Sequence, residues 1–204
     1  MQKLSIITLS EQNITDFASA RNKAIDGADS EWVLFVDSDE KITPSLKTEV
    51  LEAIESNEYV AYYIKRLDTF LGRELHHGET GGAKFVRLAR KSYGKWVRPV
   101  HESWVGSGKV GTLKSPLLHE SHQSITSFLD KINLYSTLDA QYRFEQGIKS
   151  SIFKIWMYPF AKFKINYFFR LGFLDGTPGT IMAIIMSFHS YLTWTKLYLL
   201  WHKK

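Results

Sequence analysis

Short apolar bursts fill the first part of the chain and long apolar stripes the last part, so strands alternating with helices give way to helices alone. Leu4 to Leu9 reads as a strand. Phe17 to Ala28 has helical spacing, with Phe17, Ala20, Ala24 and Ala28 on one face and Gly27 near the end. The unbroken run Trp32-Val33-Leu34-Phe35-Val36 reads as a buried strand. Thr43 and Pro44 supply an N-cap and a first-turn proline for a helix over 44–56, with Leu46, Val50, Leu51 and Ile54 facing inward. Tyr59 to Arg66 and Ala83 to Ala89 alternate as further strands. Between them, Asp68 to Gly82 is expected to form a long loop of the kind that covers a site, carrying Gly72, Gly78, Gly81 and Gly82 with His76 and His77. Trp104 to Val110 is expected to be a hairpin turning on its glycines. An amphipathic helix follows from Ser124 to Gln146, ended by Gly147, and then two more over 151–171 and 180–201, separated by Asp175-Gly176-Thr177-Pro178-Gly179. Strand, helix, strand, helix implies α/β packing with a largely parallel sheet.

The pattern also places chemistry. Asp37-Ser38-Asp39-Glu40 directly follows the buried strand, and ligands of such sheets bind beyond the carboxyl ends of strands. In an extended backbone residues i and i+2 point to one side, so Asp37 and Asp39 can face a common point. A hard divalent cation suits that point, because magnesium takes one or two carboxylates and completes its shell with phosphate oxygens and water. The simpler reading, that the acids cap the next helix, competes poorly with Thr43 and Pro44.

Composition narrows the partners. The 204 residues suffice for one compact domain with an appendage, and the absence of cysteine excludes disulfides and thiolate metal sites. Lys3 and the brief apolar stretch after it do not make a secretion signal. The formal charge of +5 is unevenly placed: from Gln141 onward nine basic residues face only Glu145 and Asp175, a net +7, which leaves the remainder at −2. Aromatic residues interleave with these lysines, from Phe153, Trp156 and Tyr158 to Tyr167, Phe168 and Phe169, giving more apolar area than a phosphate-tracking surface requires. Membrane contact is therefore expected, and no nucleic-acid partner. Gly179 to Thr195 lacks formal charge but sits at the lower limit of the roughly 17 to 25 residues of a spanning helix, so helices lying in the interface are expected over a crossing.

Several ordered pieces then resemble one family: Ala20-Arg21-Asn22, Phe35-Val36-Asp37-Ser38-Asp39-Glu40, the loop ending Gly81-Gly82, Arg98-Pro99-Val100-His101-Glu102, Leu117-Leu118-His119, and Arg170-Leu171-Gly172-Phe173-Leu174-Asp175-Gly176. Together they are similar to family 2 glycosyltransferases, in particular the membrane-associated branch that builds lipopolysaccharide core and other cell-envelope glycans. The resemblance implies an α/β, GT-A-like (Rossmann-like) mixed sheet, a transferase core over 1–122, and a membrane-associating region of amphipathic helices over 123–204. Only residues 1–16 precede the Arg21-Asn22 helix, so the family's nucleoside-recognising part is expected to be shortened.

The same resemblance implies inverting transfer of a sugar from a nucleotide-diphosphate sugar to a lipid-linked or envelope glycan acceptor, at the cytoplasmic face of the cell membrane. It assigns Glu102 as the general base; Arg21, Asn22, Asp37 and Gly82 to the donor; and Asp37, Asp39 and His119 to a manganese or magnesium ion. From the residues alone, Glu102 can equally be a surface ion pair, His119 a hydrogen-bonded core histidine, and Arg21 a partner for an acid on its own helix. The alternative function is a non-catalytic membrane-associated remnant or scaffold partner of a complete glycosyltransferase, folded but without affinity for nucleoside diphosphates.

Overall fold

The computed structural model describes residues 3–9, 14–120 and 124–202. The chain divides into two compact units, Met1–Leu67 with Ala83–Glu120, and Asp68–Gly82 with Ser121–Lys204.

In the first unit β1 (Leu4–Leu9) and β2 (Trp32–Asp37) pair in parallel, with α1 (Phe17–Asp26) between them in the chain. After β2 come β3 (Glu40–Ile42), α2 (Pro44–Glu55), β4 (Ala61–Phe70), β5 (Arg73–Leu75), α3 (Gly78–Gly81), β6 (Lys84–Arg90), β7 (Gly94–Val97), β8 (Ser103–Gly106), β9 (Val110–Thr112) and β10 (Leu117–Glu120). The main sheet runs β1-β2-β6-β4-β10-β3, with β9 also on β4. β2–β6, β6–β4 and β10–β3 are antiparallel, so the sheet is mixed and less parallel than its strand-helix order suggested. Parallel neighbours need a crossover connection, which α1 provides for β1 and β2.

β2 is apolar from Trp32 to Val36 because both faces are covered there. Trp32, Leu34 and Val36 pack with Leu46, Val50 and Ile54 of α2, whereas Val33 and Phe35 pack with Ala18 and Ile25 of α1 and with Trp96. Alternation continues past Phe35, so Asp37 falls on the α1 face. Asp16 caps α1 through the Ser19 N–H, and Thr43 caps α2 through the Leu46 N–H, with Pro44 in the first turn as expected. The hairpin expected over 104–110 is absent. Trp104 instead pairs with Trp96 in a β7–β8 hairpin and Val110 opens β9 beside β4. The glycines there make room for an indole: a Cβ on Gly94 would lie 2.3 Å from Trp104 Cζ2.

The second unit holds α4 (Ile125–Glu145), α5 (Ile152–Lys164) and α6 (Gly176–His202). A π-helical turn at Ile165–Phe169 and a 3-10 turn at Gly172–Asp175 join the last two, so α6 begins inside the segment expected to separate the helices. Ser124 and Ser127 form a capping box on α4, each such cap contributing about 1 kcal/mol. The Lys196 ammonium ties α6 to α4, donating to the Asn133 carbonyl, Ser136 Oγ and Thr137 Oγ1 at 2.7–2.8 Å.

Asp68–Gly82 is not a long loop. Leu71 and Gly72, both at positive φ, turn β4 into β5, and α3 follows. This segment belongs to the second unit because Phe70 and Leu75 are buried with Phe128, Ile132, Met182 and Ile185. Asp175 fixes its end: Oδ2 accepts from the His77 N–H at 2.8 Å and Oδ1 lies 2.7 Å from His77 Nδ1. Burial acts to raise the Asp175 carboxyl, but these bonds and one from the His76 N–H hold it below its ordinary value.

Candidate donor site at the end of the second strand

Asp37 ends β2, and the chain turns at once through Ser38 and Asp39 into β3. Glu40 closes that turn, its Oε2 accepting the Asp37 backbone N–H at 2.9 Å. Because the strand stops at Asp37, the i, i+2 rule does not carry through, and the two aspartates go to different partners.

Asp37 meets two arginines. Its Oδ1 accepts from Arg21 Nη2 at 2.9 Å, and its Oδ2 accepts from Arg87 Nη2. Arg21 rises from the inner face of α1, 2% exposed, with its guanidinium 5.1 Å above the Phe35 ring. Its Nε donates to Glu102 Oε1 at 2.9 Å. Arg87 donates also to Glu40 Oε1 at 2.7 Å. The site is thus an alternating chain, Glu102–Arg21–Asp37–Arg87–Glu40, anchored in four segments of the first unit.

Arg87 reaches Asp37 through an irregularity of β6. Tyr62 pairs with Leu88 and Tyr63 with Val86, so Arg87 is the extra residue of a β-bulge. Bulges re-aim a side chain in this way, often beside functional sites. Glu102 follows a tight turn in which Arg98 and His101 both take positive φ, and α1 is tied to that turn by the Phe17 N–H bonding to the Pro99 carbonyl at 2.9 Å.

The charges explain the protonation states. Burial acts to raise the Asp37 carboxyl, but Arg87 and Arg21 outweigh it and hold the group below its ordinary value. Burial acts to lower the Arg87 guanidinium, and Asp37 and Glu40 reverse this, so it stays fully charged. Three carboxylates against two guanidiniums leave the network at −1. Two buried donors, Arg21 Nη1 and Arg87 Nε, have no hydrogen-bond partner among the described residues. An unmade buried hydrogen bond costs about 1–3 kcal/mol, so such donors mark a place where a ligand's acceptors fit.

Asp39 turns toward β10. His119 pairs in register with Glu40, and His119 Nε2 stands 3.2 Å from Asp39 Oδ2. The carboxylate suits a magnesium- or manganese-type ion, whereas the imidazole is a ligand more usual for transition ions than for magnesium. The expected triad is not assembled: among the described residues no group of three or more His, Asp or Glu side chains is placed to hold a metal ion. Asp37 is the member that leaves it, since both its oxygens accept from guanidiniums.

Two expected donor contacts are used or placed otherwise. Asn22 clamps β7, its Nδ2 donating to the Trp96 carbonyl at 2.8 Å and its Oδ1 accepting the Trp96 N–H at 2.9 Å. Gly82 caps α3 in the second unit. Glu40 and Arg87 are the members of this network that sequence reasoning did not assign. An arginine between Val86 and Leu88 in an apolar strand was the available signal for Arg87.

The carboxylates and guanidiniums gather beyond the carboxyl end of β2, on the side of the sheet where ligands of open α/β folds bind. Residues 2–102 match the family described as Glycosyl transferase family 2, and the chain carries a domain of that family. Its mixed sheet and following helices are those of a GT-A-like fold. The chain is similar to an uncharacterized glycosyltransferase of Rickettsia typhi, 29% identical over 181 residues that cover 82% of this chain and 62% of the relative. A Rickettsia conorii glycosyltransferase is likewise 29% identical, over 82% of this chain and 64% of the relative. The lipopolysaccharide core biosynthesis glycosyltransferase LpsC of Rhizobium meliloti is 27% identical over 187 residues, 89% of this chain and 69% of LpsC. The chain thus spans less than two thirds of the length of the two Rickettsia relatives.

Proposed function

We propose that the first unit binds a nucleotide-diphosphate sugar and transfers the sugar, with inversion, to a lipid-linked or envelope glycan. One observation carries the reading: a single buried guanidinium, Arg21, holds both Asp37 and Glu102 at 2.9 Å and keeps a third N–H unpartnered. The group suited to remove a proton and the group that ends β2 are thereby fixed relative to each other.

Glu102 is the general base in this reading. Its Oε1 is pinned by Arg21, its Oε2 has no hydrogen-bond partner among the described residues, and the side chain is partly open. Oε2 would take the proton of the acceptor hydroxyl as that oxygen attacks the anomeric carbon from the face opposite the leaving diphosphate. Arg21 Nη1 and Arg87 Nε would meet donor oxygens. The network and Asp39 together carry −2 with His119 neutral, which repels a diphosphate, so the donor needs a cation. Manganese or magnesium held by Asp39 and His119 would supply the positive charge that stabilises the departing nucleoside diphosphate.

The likeness to a lipopolysaccharide core biosynthesis glycosyltransferase supports an envelope glycan as acceptor, and the cytoplasmic face of the cell membrane is the proposed place of reaction. The test is to incubate the protein with manganese, a panel of nucleotide sugars and lipid-linked envelope glycans. Nucleoside diphosphate release and the anomeric configuration of the product are then read. Transfer with inversion that Glu102→Gln abolishes is expected; retention of configuration or an unchanged Glu102→Gln rate contradicts the mechanism.

A further inference from the structure

The second unit leaves one long helix face uncovered. Ile155 of α5 is buried with Ala140, Trp194 and Leu197, which sets the inner side. On the outer side lie Phe153, Trp156, Met157, Phe160, Phe168 and Phe169, all exposed, with Phe169 at 79%, Phe153 at 70% and Trp156 at 66%. At about 100° per residue, Phe153, Trp156, Met157 and Phe160 fall within an arc of roughly 100°. The apolar surface continues past the helix through Leu171, Phe173 and Leu174. Scattered exposed apolar residues are ordinary, but a contiguous aromatic stripe marks an interaction surface.

The charges around the stripe name its partner. No Asp or Glu occurs between Ile152 and Phe169. Lys149, Lys164 and Arg170 are exposed at its two ends, and the Lys164 ammonium lies 4.6 Å from the Phe160 ring centroid, beside the apolar face. Aromatics between cations on one convex helix face match the boundary between headgroups and acyl chains, where apolar burial and attraction to anionic lipid act together. Among the described residues no single helix is long and apolar enough to cross a membrane; the pair Ile152–Phe169 and Gly172–His202 has the length and composition together but is bent by 69°.

We propose that this face docks on an anionic phospholipid bilayer, α5 lying flat with Phe153, Trp156, Phe160 and Phe169 in the acyl boundary and Lys149, Lys164 and Arg170 at the phosphates. The surface lies wholly within the second unit and does not depend on the sugar-transfer reading.

Co-sedimentation of the full chain with vesicles tests it, using phosphatidylcholine alone and with roughly one third phosphatidylglycerol. F153S/W156S/F160S should lose at least about tenfold in vesicle affinity at low and high salt, while keeping its thermal midpoint and its nucleoside diphosphate binding. K149E/K164E should weaken binding to the anionic vesicles only. Phe169→Ser changes the most exposed position and keeps the test decisive if the triple variant fails to fold. Alkaline carbonate should release the bound protein. Three results overturn the proposal: wild-type vesicle affinity in the aromatic variants, retention through carbonate, or a lipid-free wild-type dimer in light scattering that the aromatic variants lose.

Discussion

Arg21 Nη2 donates to Asp37 Oδ1 at 2.9 Å, and this pair joins the first helix to the end of β2. Both side chains are largely shielded, so the pair is held by geometry and not by loose surface attraction. Because the same guanidinium also holds Glu102, one residue positions both the proposed base and the carboxylate that ends β2.

Arg21→Met should therefore be destabilising beyond its lost volume. It leaves Glu102 without its partner and Asp37 with Arg87 alone near the interior, and removing one partner of a buried pair costs about 3–5 kcal/mol. Urea unfolding followed by circular dichroism checks this; a loss under about 1 kcal/mol, the range of a surface pair, would show that the network contributes little.

Acid should erase part of the network's contribution. The native Asp37 carboxyl lies below its ordinary value, so its stabilisation is complete above roughly pH 4 and is lost as pH falls through the lowered native value. Asp175 shifts in the same direction and adds to the same loss. Arg87→Met removes the larger of the two charges acting on Asp37, so the stability gap between wild type and this variant should narrow between pH 6 and pH 3. A gap independent of pH would contradict the assignment.

Asp39→Asn and His119→Gln should leave the fold intact and weaken manganese-dependent nucleoside diphosphate binding by at least about tenfold. Calorimetric titration of each folded variant reads this directly. Unchanged manganese dependence in both variants would move the metal elsewhere.

Asn22→Ala separates a structural from a ligand-binding role. Both amide groups of Asn22 bond the Trp96 backbone, so the variant should lose about 1–3 kcal/mol of stability, while its folded fraction binds nucleoside diphosphate as wild type does. Reduced affinity without lost stability would return Asn22 to the donor site.

Glu102→Gln keeps an oxygen that can accept from Arg21 Nε but loses basicity. Donor affinity should stay within about twofold, and turnover should fall by about two to four orders of magnitude. Single-turnover kinetics separates the two quantities.

Much of the first unit was legible because its apolar runs are short and bounded by cap and turn residues. The run Trp32 to Val36 located β2, and Thr43 with Pro44 located α2 to within a residue. The motifs then led to Arg21, Asp37, Asp39, Glu102 and His119. What escaped was set by tertiary contact. Arg87 enters the site only because a bulge displaces it from the register. Asp37 and Asp39 part because the strand ends between them, which local spacing cannot show. Trp104 pairs backward to Trp96 and not forward to Val110, so Gly106 accommodates an indole and Gly108 lies against Val60. Asp68–Gly82 read as a loop because Phe70 and Leu75 find their apolar partners only on helices more than fifty residues away in the chain.

The most direct measurement is calorimetric titration of the folded protein with UDP and GDP, with and without manganese, alongside Asp39→Asn. The account predicts binding that requires manganese and is lost in the variant. No binding to a demonstrably folded sample, or binding indifferent to manganese and to Asp39, would contradict a donor site at the end of β2.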